Sequence, residues 1–323
     1  MLLHGELAER YRDFAAYTRG DSPCFETWAL AVARDPEILD WLSDLPEGKQ
    51  QPNLVFAAAR WHGAEAPAPY AELRRVLLTY QTAVKQTIRD RATQTNEVGR
   101  LATLVPVLAG LGEPLALVEV GASAGLCLFP DRYDYEWPPF GALRGSTGPT
   151  LSADARGPLP VPRRHPRVAW RGGCDLNPLD VGDADETAWL ETLVWPEQEA
   201  RRRRLRSAIR IASDDPPRLL AGDLLDLVPD LVAEAGRHGV PVVFHSAVAA
   251  YLDEDDRDRF VALMTQLVAG GRCRWVSNEA PGVLPSVTAT GPAAGPPTGR
   301  FVLGLDGRAL AWTHGHGHAI EWL

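Results

Sequence analysis

The segment of this 323-residue chain whose spacing carries most chemistry is Gly121-Ala-Ser-Ala-Gly125. It follows the apolar run Leu115-Ala-Leu-Val-Glu-Val120 and precedes a brief helical stretch ended by Pro130, so it reads as a strand-to-helix turn. Three chemistries fit such a turn. A nucleotide-type ligand can lie against it, because glycines let the backbone come close and the helix N-terminus offers free N–H groups. A G-x-S-x-G elbow instead presents Ser123 as a nucleophile for an acyl carbon, with an acid and a histidine downstream. His245, His314, His316 and His318 follow it in the required chain order. In the third reading, small residues only let a strand and a helix pack closely. The elbow is the weakest of the three, since the preceding chain looks helical and no His-Gly-Gly oxyanion loop lies upstream. A dinucleotide fingerprint is disfavoured by the missing G-x-G-x-x-G spacing.

Further polar residues fall at the ends of later apolar runs. Asp175 follows Arg167–Arg171, Asp223 follows Arg218–Ala221, His245-Ser246 close the run from Val240, and Asn278-Glu279 follow Cys273–Ser277. In an open α/β sheet a nucleoside ligand lies across the carboxyl ends of the strands, where an acid grips the ribose. Strand ends are also loops, and loops are polar. His314-Gly-His-Gly-His318 alternates, so a strand would set three imidazoles on one face, an arrangement able to bind a transition metal. With no matching carboxylates or cysteines, the row is read as a half-exposed strand face and no metal is assigned. Arg201–Arg204 splay around a helix and read as a solvated face. Asp253–Asp256 form an acidic first turn. Tyr133, Tyr135 and Trp137 are candidates to line an acceptor pocket, and the other tryptophans read as core.

The elements that must position these residues are legible in the texture. Glu6–Thr18, a segment opened by Ser22-Pro23, and the amphipathic pattern of Leu73, Val76, Leu77, Tyr80, Val84 and Ile88 predict a helical subdomain over residues 1–92. From residue 93 onward, strands alternate with helical patterns such as Ala184–Ile211 and Glu254–Val268, which predicts a mainly parallel sheet covered on both faces. Phe301–Leu305, the Asp306-Gly307 turn and Ala309–Leu323 predict a closing antiparallel hairpin. Residues 131–166, rich in glycine, proline and aromatics, read as an insertion between the first two strands that folds over the site.

Composition sets bounds. Apolar residues make up 45 % and charged residues 23 %, the balance of a folded protein with a sizeable core. A net charge of −9 argues against nucleic acid and anionic membranes as partners, leaving a small-molecule substrate. The N-terminus has no signal-peptide pattern, and the four scattered cysteines read as reduced thiols, so a cytoplasmic protein is expected.

Six blocks carry a resemblance: Gln94-Thr-Asn-Glu-Val-Gly-Arg100, Glu119-Val-Gly-Ala-Ser-Ala-Gly-Leu126, Asp131-Arg-Tyr133, Asp175-Leu-Asn-Pro-Leu-Asp180, Leu193-Val-Trp-Pro-Glu-Gln198 and Val243-Phe-His-Ser-Ala-Val248. Together they resemble the signature blocks of the bacterial domain-of-unknown-function family 2332, whose members look like class I S-adenosyl-L-methionine-dependent methyltransferases. The resemblance implies a Rossmann-like, class I methyltransferase-like α/β fold with a mainly parallel seven-stranded sheet and S-adenosyl-L-methionine as cofactor. Glu119, Gly121, Ser123 and Gly125 would cradle its methionine part, although the usual G-x-G stands here as G-A-S. Asp175 would take the ribose and Asp223 the adenine amino group. Asn96, Glu97 and Arg100 would hold the amino-acid end; a helix N-terminus explains the same residue types. His245, with Glu97 as second choice, is the candidate base, and Tyr133, Ser246 and Glu279 would meet the acceptor. The expected reaction is methyl transfer to an O, N or C nucleophile. The alternatives are a Ser123 hydrolase and a non-catalytic binder of a nucleotide-like ligand.

Overall fold

The computed structural model describes residues 2–94 and 97–323, with side chains from residue 5 onward. It divides into two compact units, Met1–Thr95 with Ala184–Arg203, and Asn96–Asp183 with Arg204–Leu323.

The first unit is helical, and its turns follow from local chemistry. Ser22 accepts the Phe25 N–H and is followed by Pro23, while Asp35 accepts the Glu37 and Ile38 N–H groups and is followed by Pro36. Both are side-chain caps with proline in the first turn. The core gathers Tyr11, Phe25, Trp28 and Phe56, joined by Trp189 and Trp195 from the second segment. Those two indoles are satisfied, Trp189 donating to Ala92 O at 3.0 Å and Trp195 to Asn53 Oδ1 at 2.9 Å. Two expected helices are divided. The pattern from Leu73 to Ile88 is two helices, Tyr70–Thr79 and Gln81–Asp90, because Tyr80 leaves helical geometry at φ −111° and ψ 29°. Ala184–Ile211 likewise splits into Ala184–Leu193 and Glu199–Asp214, with Pro196 in the break.

The second unit is built on strands β1 (Leu115–Val120), β2 (Asp134–Trp137), β3 (Gly141–Leu143), β4 (Thr150–Ser152), β5 (Asp154–Arg156), β6 (Val168–Asp175), β7 (Arg218–Ala221), β8 (Val240–Ser246), β9 (Arg274–Glu279), β10 (Arg300–Leu305), β11 (Arg308–His314) and β12 (Ala319–Trp322). The main sheet runs β5-β12-β11-β10-β9-β8-β1-β6-β7. β7, β6, β1, β8 and β9 are parallel, and β10, β11 and β12 meander antiparallel beside them. The sheet has nine strands, not the expected seven. The expected final strand Ala309–Leu323 breaks at a turn after His314 to give β12, and β5 comes from the insertion to pair with β12. The rest of the insertion forms a small β3-β2-β4 sheet. The Asp306-Gly307 turn has φ of +50° and +82°, as a two-residue hairpin requires.

One face of β1, through Ala116, Val118 and Val120, buries against Val228, Leu231 and Val232 of the helix Leu224–Ala235 and Phe260 and Met264 of the helix Glu254–Ala269. The chain passes from β1 to β6 and β7 on one side, then returns to β8 on the other. That reversal puts a topological switch point at the carboxyl ends of β1 and β8, the place where open α/β sheets bind ligands. Among the described residues no helix is long and apolar enough to cross a membrane.

Candidate functional site

The turn after β1 is built from backbone conformations that side chains rarely adopt: φ is +66° at Gly121, +49° at Ser123 and +67° at Gly125. The Gly121 and Ala122 N–H groups both donate to Cys174 O, at 2.9 and 3.1 Å. Ser123 N–H donates to Asp175 Oδ2 and Asn177 N–H to Asp175 Oδ1, each at 2.8 Å. Asp175 therefore ties the β1 turn to the end of β6, and each oxygen keeps a second lone pair. A Cβ on Gly121 would lie 2.5 Å from Val248 Cγ2, and one on Gly125 2.8 Å from Pro217 Cγ. Contacts within the protein already demand these glycines, which favours the packing reading of the turn. Asp223 is exposed and caps the helix Leu224–Ala235, accepting the Leu225 N–H at 2.7 Å. Burial, together with the charges of Asp175 and Asp223, pushes the Cys174 thiol up to about 12.

Across the switch point the polar residues form a connected network, in which Glu279 Oε2 alone is enclosed without a partner among the described residues. His245 is buried, and the Trp275 indole N–H donates to its Nε2 at 3.0 Å. The proton therefore sits on Nδ1, which donates to Glu279 Oε1 at 2.7 Å. The same oxygen accepts the Val248 and Ala249 N–H groups at 2.9 and 3.2 Å. This holds the loop after β8, where Ala247 sits at φ +58°. Both nitrogens of His245 are thus engaged inside the core. Beside it, Thr313 donates to Asn278 Oδ1 at 2.6 Å, and Asn278 donates to Ser246 Oγ at 3.0 Å.

The opposite face of β1 differs. Val118 and Val120 enter the helix-covered core, so the twofold period of a strand turns Glu119 the other way. Its Oε2 is enclosed and has no hydrogen-bond partner among the described residues. Burial raises this carboxyl well above its ordinary value; the nearby Arg100 charge opposes the rise and Asp175 adds to it. Arg100 donates to Ser246 O at 2.7 Å and to Gly315 O at 2.9 Å, linking the loop after β8 to the turn after β11. Glu97 Oε1 accepts the Gly99 N–H at 2.9 Å and lies 3.6 Å from Arg204 Nη2. The buried Cys127 thiol is raised by desolvation and by the charges of Glu119 and Glu97, which puts it in the same group. Tyr133, raised by burial and by Cys127 and Asp131, extends that group. Tyr133 OH, Asp131 Oδ1 and Arg204 Nε are also enclosed without partners among the described residues. Asp131 Oδ2 is held by Arg171 at 2.8 Å.

Of the residues singled out from sequence, the structure gathers Glu97, Arg100, Glu119, Gly121, Ser123, Gly125, Asp175 and Ser246 around the end of β1, and brings Tyr133 alongside. His245 and Glu279 form the separate network, and Asn96 lies outside the described residues. Trp137 and Tyr135 are fully buried, stacked at 5.6 Å with hydrogen bonds to Ala102 O and Pro130 O, so they are core and do not line a pocket. Asp131, Cys127 and Arg204 were not anticipated as site residues. Arg204 in particular was read as a solvated charge, whereas its guanidinium reaches the buried Glu97.

Residues 8–322 match the family DUF2332, described as uncharacterized proteins conserved in bacteria, and the chain belongs to that family. No curated protein and no solved structure matches the chain.

Proposed function

We propose that this member of the family binds S-adenosyl-L-methionine at the carboxyl edge of β1 and β6 and transfers its methyl group to an O, N or C nucleophile of a small molecule. One observation carries the reading. Four buried polar atoms, Glu119 Oε2, Asp131 Oδ1, Tyr133 OH and Arg204 Nε, stand unpartnered among the described residues beside the switch-point turn. Leaving such an atom unpaired costs about 1–3 kcal/mol, so a group of four favours a polar ligand that pairs with them. A zwitterion suits that set, with an ammonium for the acids and a carboxylate for Arg204.

The fit lies in the acids and unpaired atoms, and not in an open glycine cradle, since Val248 and Pro217 already fill the space beside Gly121 and Gly125. Glu119 would hold the ammonium, and the spare lone pairs of Asp175 the ribose hydroxyls. Once bound, the group supplies an electrophilic methyl on a sulfonium. The chain's own part is alignment and exclusion of water, which is most of what such a transfer needs. His245 and Glu279 fix the loop that follows Ser246, and Arg100 fixes the Ser246 backbone from the other side.

Calorimetric titration of the full chain with S-adenosylhomocysteine tests this reading. Binding in the parent, weakened at least about tenfold (1.4 kcal/mol) in Glu119→Gln, is the expected result. No heat and no thermal shift with the parent sinks it.

A second reading rests on Ser123, whose φ of +49° is the strain expected of a serine at a nucleophile elbow. His245 is not its base, because Trp275 and Glu279 occupy both ring nitrogens. Labelling by a fluorophosphonate, lost in Ser123→Ala, would favour a hydrolase over a methyltransferase.

A further inference from the structure

We propose that His314, His316 and His318 form a binding site for a transition-metal dication, with Zn²⁺ as the ion that fits best. This inference stands independently of the methyl-transfer reading. One ring nitrogen from each of the three residues lies within 4.8 Å of the others. The His314 and His318 rings stack with centroids 4.3 Å apart, and His316 meets them edge-on at 5.7 and 5.9 Å. The expected strand would have spread them along one face. The strand instead ends at His314, and the turn that follows brings the imidazoles together.

The turn is held from outside. Gly317 N–H donates to His314 O at 2.8 Å, Arg100 holds Gly315 O, and Asp154 N–H donates to His318 O at 2.8 Å. At Gly317, φ is +84°, and a Cβ there would lie 2.1 Å from Gly99 O, so glycine is required where the turn presses on that backbone. The imidazoles therefore stand on a fixed frame, which a metal site needs.

The chemistry selects the ion. Three imidazoles, grouped with no thiolate or carboxylate among the described residues, suit zinc, copper or nickel, and are poor ligands for magnesium or calcium. Zn–N bonds of about 2.0–2.1 Å in a tetrahedron bring ligand nitrogens to roughly 3.3 Å, so nitrogens now within 4.8 Å of one another are brought to that spacing by side-chain rotation. His314 and His316 are partly exposed and His318 is exposed, which leaves room for that movement. His314 Nδ1 accepts the His316 N–H at 3.1 Å; coordination through either nitrogen exchanges this long bond for a metal bond. Three ligands leave one position of a tetrahedron for water or an exchangeable group. The site lies at the carboxyl end of β11, on the edge that also carries the ends of β1, β8 and β9, and Arg100 touches both this turn and Ser246.

The test is titration of the metal-stripped full chain with ZnCl₂, followed by calorimetry, beside His316→Gln and His318→Gln. The expected result is one equivalent bound, with each substitution weakening it by at least the ~10–100-fold that an outer-shell partner alone is worth. No binding by the parent, or binding unchanged in both variants, overturns the proposal. Should a metal-free variant melt below the parent, the Co²⁺-loaded parent decides: intense visible absorption marks four- or five-coordination by the imidazoles and supports the site, whereas the weak bands of the hydrated ion overturn it.

Discussion

Beyond β8 and β9 the His245 ring is answered at both nitrogens: Trp275 donates to it, it donates to Glu279, and Glu279 also takes two loop N–H groups. Beside β1, on the same sheet edge, Glu119, Asp131, Tyr133 and Arg204 each keep an enclosed polar atom without a partner among the described residues. Both regions are built from titratable side chains, fully buried at His245 and Glu279 and partly exposed at Asp131 and Arg204. They differ in the share of polar atoms that are satisfied: one, Glu279 Oε2, lacks a partner among the described residues in the first region, against four in the second. A network in which most polar atoms are paired, with Glu279 Oε2 the exception among the described residues, spends its hydrogen-bonding capacity on holding one geometry, while an unpaired group keeps that capacity. The proposed function uses the first region for positioning and the second for binding.

Breaking the paired region should have the largest effect. Glu279→Ala strands His245 Nδ1–H and two backbone N–H groups in the core and is expected to lower stability by about 3–5 kcal/mol in urea unfolding. A loss below about 1 kcal/mol would mean that the network holds little. Next comes the turn that separates the two regions. Gly121→Ala adds a Cβ against Val248 at a positive φ and should cost about 1–3 kcal/mol. Adding Val248→Ala should return the part due to overlap and leave the part due to backbone strain. If the double variant is no more stable than Gly121→Ala, packing against Val248 is not why glycine stands there.

The unpaired region should respond in the opposite sense. Tyr133→Phe removes a hydroxyl without a described partner, so stability should stay within about 1 kcal/mol of the parent or rise, while ligand affinity falls. A large loss of stability would reveal a partner and undo the contrast. Glu119 adds a pH signature. Its carboxyl is raised in the folded state, so folding holds the proton more tightly than the unfolded chain does. Its contribution is complete below the ordinary value of 4.5 and is lost as pH rises through the higher folded value. Glu119→Gln should flatten that part of the stability profile, and an unchanged profile would place the carboxyl in water. The smallest effect belongs to Asp223. Asp223→Asn keeps the helix cap and should change stability by at most about 0.5 kcal/mol, against roughly 1 kcal/mol for Asp223→Ala. Ligand binding lost in Asp223→Asn alone would give its charge a part in the site.

How much of this was legible in the sequence follows from the length of each signal. β1 and β7 stand where the apolar runs place them, because strands of six and four residues, five and three of them apolar, are bounded by turn formers and read easily. β3, β4 and β5 have three residues each, too few to show a period, so the insertion read as irregular; the main sheet came out two strands short because β5 was missed and β12 was read as one strand with β11. The candidate site was legible as a place, the ends of β1, β6 and β8. The roles were not, because position past a strand does not say which way a side chain turns. Parity held part of the answer: His245 shares a face with Val243, which is core, while Glu119 alternates against Val118 and Val120. Arg204 and Asp131 carried no signal, since their partners Glu97 and Arg171 are 107 and 40 residues away in sequence.

The most direct test of the central claim is a crystal structure of the full chain with S-adenosylhomocysteine. The account predicts the ligand across the ends of β1 and β6, with Glu119 Oε2 and Arg204 Nε hydrogen-bonded to its amino-acid end. Ligand bound elsewhere, or those atoms paired with ordered water while the site stays empty at saturating ligand, would contradict it.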